Sequence, residues 1–385
     1  MIRAVRAIDL HVPDLATLHE RRSEKWTGHD DDVLVATVAE MDFPLAEPVV
    51  EVLRAAVDRN DLGYSPPAPG RLRDAFAGFA SRRLRWDVDT EQITLVPDVM
   101  VGLVELSRVL VGGEQALAFV TPAYPPFFAA LPHAVGRLEH LAVAEDGAVD
   151  LAALARSIES GTRVVILTNP RNPTGRVLPR SELEGIAEVC AERDVCVLAD
   201  EIHAPLVLPG AQHTPWLEVS DAARSCGVAL TSASKAFNVA GLKAALLVTS
   251  SDRMRSVVAR LPDLSDQVGL LGVLAAEAAF VEGDAWLDAV LAQLDSNRSL
   301  LEEQLADQLP AIGWRPPSAS YLAWLDFRGL GLGDDPAKTL LERGRVALVP
   351  GLRYGSEGAG FARLNFGTSP DLVAEAVGRI GSVLD

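Results

Sequence analysis

The chain is short of cysteine, with Cys190, Cys196 and Cys226 the only three in 385 residues. None stands in a Cys-x-x-Cys pair or beside a His-Glu-x-x-His cluster, so neither a disulfide framework nor a metal site is expected. The three read as small buried hydrophobes in a reducing compartment. Basic charge is scarce as well: 35 Lys and Arg face 53 Asp and Glu, a net charge of −18 at pH 7. That excess repels nucleic-acid phosphates and anionic lipid surfaces, so neither is expected as a partner. No apolar run approaches the roughly 20 residues that cross a bilayer. The N-terminal stretch, residues 1–15, alternates charge with apolar residues and lacks the hydrophobic region of a secretory signal, so a cytoplasmic protein is expected. Repeats, low-complexity tracts and long blocks of one charge are also missing, which leaves domain boundaries to the order of elements.

What is present is an ordinary globular composition, 49% hydrophobic and 23% charged, in a chain long enough for two or three domains. A core of that size tolerates a cofactor-sized cavity. From about residue 90 short apolar runs alternate with helical patterns: 93–96, 116–120, 163–168, 195–199, 228–232 and 244–248. Runs this short, apolar on both faces and separated by helices, predict a buried parallel sheet. Residues 181–194 carry Leu183, Ile186, Val189 and Cys190 on one helical face, with Ser181 and Glu184 at capping-box spacing. Residues 266–307 are helical in pattern, and after them come a strand at 321–327, a helix near 336–344, two strands (346–349 and 362–366) and a last helix. The expected architecture is α/β: a large domain with a mostly parallel sheet flanked by helices, over 45–283, and a smaller α/β domain over 284–385 that includes the N-terminal segment 1–44.

Three segments at predicted strand ends can carry chemistry. The turn from Asn169 to Gly175 follows the run 163–168; it is either loop punctuation or a ligand loop, since open α/β sheets bind beyond the carboxyl ends of their strands. Asp200, in Asp200-Glu201-Ile202-His203, either caps the next element or keeps a heterocyclic ring nitrogen protonated. Lys235, in Ser232-Ala233-Ser234-Lys235, is either a solvated surface lysine or a desolvated amine able to form a Schiff base and shuttle a proton.

In this order the three segments resemble the pyridoxal-phosphate enzymes of the aspartate aminotransferase fold (fold type I), and the likeness spans nearly the whole chain. Arg22-Ser23-Glu24-Lys25-Trp26, residues 39–44 (AEMDFP), Gly63-Tyr64, Thr121-Pro122-Ala123-Tyr124, residues 200–203 (DEIH) and Lys235-Ala236-Phe237-Asn238 resemble the MalY/PatB subgroup of cystathionine β-lyases. General aminotransferases usually have Tyr where His203 stands, and the subgroup's His203 counts here among the cofactor-binding positions. The resemblance implies that Lys235 holds the cofactor covalently, that Asp200 partners its pyridine nitrogen, that Asn172 donates to its phenolic oxygen and that Tyr124 stacks on its ring. It implies phosphate ligands at Ser232, Lys243 and the turn Asp98-Val99-Met100, where a helix N-terminus receives the anion. Tyr64 matches a tyrosine that reaches the phosphate of a neighbouring subunit, which implies a homodimer with shared active sites, and Arg363 matches the clamp on an amino-acid substrate's carboxylate. No metal is implied. Arg171, Glu40 and Asp98 depart from the pattern, which usually has His, Asp, and Gly or Ser there; Asp98 sets a negative charge near a dianion.

The activity implied is cleavage of cystathionine or related S-substituted cysteines to pyruvate, ammonia and a thiol. The alternative is an aminotransferase, which uses the same residues and returns the proton to the cofactor. A binding or regulatory module is the third reading; no sequence feature marks a surface for it, and an intact Lys235 speaks for catalysis.

Overall fold

The computed structural model describes residues 8–66, 69–144 and 147–384, so the first seven residues of the expected N-terminal segment lie outside the described residues. The first strand, β1 (Leu34–Val35), finds its partner more than three hundred residues later. The main sheet follows: β2 (Ile93–Val96), β3 (Ala116–Thr121), β4 (Leu138–Ala142), β5 (Thr162–Thr168), β6 (Cys196–Asp200), β7 (Gly227–Thr231) and β8 (Ala245–Val248). Their order is β2-β8-β7-β6-β5-β3-β4. Five of the seven strands pair in parallel, while β8 runs antiparallel to both β7 and β2. The run 244–248 is thus an antiparallel insert in the expected parallel sheet. Its apolar composition gave no sign of direction, because burial on both faces reads the same either way. β4 lacks the continuous apolar character of the others, being an edge strand, and sequence reasoning missed it.

Both faces of the sheet are covered. Along β5, Val164 and Ile166 enter one core cluster while Val165 and Leu167 enter the other, the period-two signature of a strand buried on both sides. The helix Val99–Leu110 lies close over β7 and β8 because Gly102 leaves room: a Cβ there would come within 3.0 Å of Leu247 and 3.1 Å of Leu230.

The crossover helix spans Arg180–Ala191, and the N-cap position is held by Pro179, which makes no side-chain capping bond, rather than by Ser181. No capping box forms, because the helix starts one residue before Ser181; Glu184 pairs instead with Arg180 on the same helix. Two long helices, Leu270–Glu282 and Asp284–Gln308, fill most of the predicted 266–307 stretch and break at Gly283. The remaining strands are β9 (Gly313–Trp314), β10 (Leu322–Asp326), β11 (Val346–Ala347), β12 (Val349–Pro350) and β13 (Phe361–Asn365). They form a four-stranded sheet, β12-β13-β10-β9, and a parallel β1-β11 pair. Leu34 and Val35 pair with Val346 and Ala347, which places the N-terminal segment against the C-terminal elements. Among the described residues, no helix is long and apolar enough to cross a membrane.

Candidate active site

The carboxyl ends of β5, β6 and β7 lie side by side, with Thr168 opposite Asp200 and Asp200 opposite Leu230. That edge brings the loop after Thr168, the Asp200–His203 turn and the helix Ala233–Ala236, which carries Lys235, into one place. The amino end of the helix Val99–Leu110 joins them, since β2 points the same way as β7. A cavity of about 250 Å³ opens there, lined by Asp98, Val99, Met100, Tyr124, Asn172, Asp200, His203, Lys235 and Lys243 among others. Nine residues singled out from sequence therefore share one wall-to-wall space.

Burial raises the Asp200 carboxyl to about 6, with the Glu201 charge adding to the rise; the Ile202 N–H, which donates to Oδ1, and Lys235 pull the other way. Burial likewise lowers the Lys235 amine to about 8, with Arg363 contributing. Its Nζ donates to the Ala39 carbonyl at 3.0 Å. Both groups line the cavity, and burial shifts both toward their neutral forms, as at sites that move protons. Tyr124 sits half-buried at the cavity wall, and burial raises its phenol.

Arg363, on β13, is buried; Nη1 donates to Oδ1 of Asn172 at 3.0 Å and Nη2 to the Thr37 carbonyl at 2.8 Å. The Nε is buried with no partner among the described residues, and the guanidinium lies 5.4 Å from the Tyr354 ring centre. With its oxygen taken, the amide of Asn172 has its N–H groups for the cavity.

The turn Asp98-Val99-Met100 accounts for one departure noted above. Asp98 is the N-cap of its helix: Oδ1 accepts from the Val101 N–H at 2.7 Å, and Oδ2 takes the Lys243 ammonium at 2.9 Å. Its charge is thus shared between a helix N-terminus and a lysine. Ser232 stands outside the cavity lining, its hydroxyl donating to the Ala244 carbonyl and accepting from the Ser234 N–H. Ser234, two residues on, lines the cavity. Arg171 is buried too, but its guanidinium donates to the Gly147 and Pro122 carbonyls at 3.4 Å each and so ties loops rather than lining the cavity. Tyr64 is 85% exposed and reaches no part of its own chain's site.

Sequence reasoning missed how the residues 37–42 cover the site. Their carbonyls accept from Arg363 (Thr37), Asn365 (Val38 and Glu40), and Lys235 and Tyr321 (Ala39). Asn238 bonds both the N–H and the carbonyl of Met41. Lys25 and Asp42 close the far end: Nζ lies 2.8 Å from both carboxylate oxygens, and both residues are buried. The Lys25-Trp26 and Met41-Asp42-Phe43-Pro44 elements were legible as motifs; their role as an anchor for this cover was not.

The residues present fit pyridoxal 5′-phosphate. Asp200 is a buried carboxylate short of a cation, Asn172 offers donors to an oxygen, and Lys235 is a buried amine lowered to about 8. Tyr124 supplies an aromatic face, and Ser234, Lys243 and a helix N-terminus surround the place for an anion. Sheet order and site together define the class, the aminotransferase fold of pyridoxal-phosphate enzymes. The chain belongs to the class I and II aminotransferase family, whose model matches residues 32–380. It is 35% identical to a cystathionine β-lyase of Corynebacterium glutamicum over 97% of this chain and 100% of that one. It is 34% identical to the cystathionine β-lyase PatB of Bacillus subtilis, over 94% of this chain and 97% of that one. Among solved structures, a candidate PLP-dependent β-cystathionase from Corynebacterium diphtheriae superimposes with a TM-score of 0.91 at 34% identity, covering 98% of this chain and 99% of that one.

Proposed function

We propose that this chain is a pyridoxal-phosphate-dependent carbon–sulfur β-lyase that cleaves cystathionine or related S-substituted cysteines to pyruvate, ammonia and a thiol. The observation that carries the reading is the meeting of Lys235, Asp200 and Asn172 around one cavity, with Arg363 behind Asn172 and bonded to it. The lyase branch draws support from the relatives named above and from the Lys25–Asp42 anchor, whose motifs belong to that subgroup and which fastens the segment receiving the Lys235 amine.

Bound pyridoxal phosphate supplies an electron sink for the pair left at Cα when its proton departs. Arg363, held by Thr37 and Asn172, binds the substrate carboxylate through its remaining N–H groups and aims the Cα–H bond. Lys235 is the residue that would hold the cofactor, and its free Nζ would accept the Cα proton and deliver it to the sulfur leaving from Cβ. A proton affinity near 8 suits both halves of that transfer at neutral pH. Asp200 stays anionic once a cation faces it, and Tyr124 and the cover over 37–42 restrict water.

The same reading places two active sites in a homodimer, with Tyr64 of each subunit serving its neighbour's phosphate; the exposure of Tyr64 supports it. It divides the chain at 45–283 and 284–385, with residues 1–44 joined to the latter, as the β1-β11 pairing supports. A cytoplasmic location fits three buried, unpaired thiols. Incubation of the holoenzyme with cystathionine should release pyruvate over many turnovers without an added keto acid. Bleaching after one turnover, with recovery only on adding a keto acid, would replace the lyase by an aminotransferase. Borohydride reduction should place the pyridoxyl group on Lys235, and a label elsewhere would remove Lys235 from its role.

A further inference from the structure

The segment leading into β10 holds one residue in a conformation its side chain disfavours. Ser320 has φ +71°, in the left-handed region where glycine or asparagine is usual. The backbone around it is pinned. The Ser318 and Ala319 N–H groups both donate to the Gly175 carbonyl at 3.0 Å, and the Ser320 N–H donates to the Leu206 carbonyl at 2.8 Å. Gly175 itself needs its φ of +63° and its missing Cβ, which would fall 2.3 Å from Pro317. Glycine at 320 would satisfy the same path without strain. A strained residue kept where a relaxed one would serve points to its side chain.

That side chain is one hydroxyl. It is buried, and its Oγ lies 3.0 Å from Nδ1 of His203, its sole hydrogen-bond partner among the described residues. A buried hydroxyl with a ring nitrogen as sole partner donates to it, because accepting would leave its own proton unpaired. Nδ1 is then the acceptor, and the ring proton sits on Nε2. Burial, with Lys235 and Arg363 facing the ring, pushes the imidazole down to about 3, so it carries that one proton only. Tyr321 meets the ring edge-on at 6.3 Å and spends its own hydroxyl on Ala39.

We propose that Ser320 is a positioning residue that locks His203 in its Nε2–H form and so makes it a second hydrogen-bond donor, beside Asn172, for an anionic oxygen in the cavity. Only the identity of that oxygen, the phenolic one of pyridoxal phosphate, rests on the reading given above.

Holoenzyme carrying ¹⁵N-labelled histidine, with His203 assigned by its absence in His203→Gln, should show the neutral Nε2–H form between about pH 6 and pH 9, well above the imidazole's lowered pKa. Ser320→Gly keeps the backbone path and removes the hydroxyl. The variant should populate the other tautomer. With one donor lost, the phenolic oxygen holds the neighbouring proton more strongly, so the pH midpoint of the bound cofactor's visible absorbance should rise by about one unit. An Nδ1–H ring in the unaltered protein overturns the proposal, and needs no variant to fold. An unmoved tautomer or an unmoved midpoint in Ser320→Gly overturns it too. A protein that takes up no pyridoxal phosphate would instead sink the cofactor reading, and the tautomer of His203 would still be read in the unloaded protein.

Discussion

Replacing Asp200 by Asn should make the cofactor-free protein more stable while weakening its hold on the cofactor. The folded protein raises this carboxyl from 3.8 to about 6, chiefly by burial. A group with a raised folded-state pKa stabilises the fold fully below its unfolded pKa, and that contribution is lost as pH climbs through the folded one. The gap is about two units, or about 3 kcal/mol at about 1.36 kcal/mol per unit. Above about pH 6 the empty site therefore holds a carboxylate the surroundings do not want, and a protonated ring nitrogen offsets that cost when the cofactor binds. Asn keeps an oxygen for the Ile202 N–H and carries no charge. Urea or thermal unfolding of the cofactor-free proteins should show equal stability near pH 4 and a gain for Asp200→Asn that grows through pH 5 and levels off above pH 6, toward about 3 kcal/mol. Cofactor affinity should move the other way at pH 8. A variant no more stable than the parent at pH 8, or a difference independent of pH, would refute the reasoning.

Arg363→Ala should depress kcat/KM for every amino-acid substrate by about 100-fold or more, through lost orientation of the Cα–H bond, while the absorbance of bound cofactor stays in place; steady-state kinetics beside a spectrum checks both halves. Lys25→Met leaves the buried Asp42 with Arg21, at 3.6 Å, as its remaining ion-pair partner among the described residues, and should cost about 3 kcal/mol or more in unfolding experiments, much of it regained in Lys25→Met/Asp42→Leu. Tyr64→Phe should weaken cofactor retention more than folding, and mixing it with Lys235→Ala subunits should restore activity if sites are shared; proven subunit exchange without rescue would count against a composite site.

The large sheet was legible because its signal is local. Six of its seven strands show as apolar runs bounded by turns, and the strand-end positions of Asp200, Lys235 and Asn172 follow from those runs alone. β4 escaped because an edge strand need not be apolar on both faces, and the direction of β8 escaped because burial has no polarity. The capping box at Ser181 failed for a different reason. Ser181 and Glu184 matched the pattern, but the helix already starts at Arg180, directly after Pro179, and Glu184 pairs with Arg180 instead. Local patterns compete with tertiary partners that the pattern does not contain.

The cover over Lys235 shows what kind of information a sequence withholds. Residues 37–42 contribute backbone carbonyls, and a carbonyl has no residue type: Ala39 accepts from Lys235 and Tyr321 through an atom every residue carries. Which residue supplies it depends on where the chain passes, and the path is set from a distance by Asn238, Asn365, Arg363 and the Lys25–Asp42 pair. Each of those side chains was visible as a letter, and Lys25, Asp42 and Asn238 stood in motifs, yet their common target was not. Ser320 is the same case in reverse, since its hydroxyl is ordinary and only the backbone angle beneath it shows that glycine would have been the easier choice. Residues that act by touching the cofactor are typed by chemistry and can be read early. Residues that act by holding the backbone or a ring in place are typed by geometry, and wait for the fold.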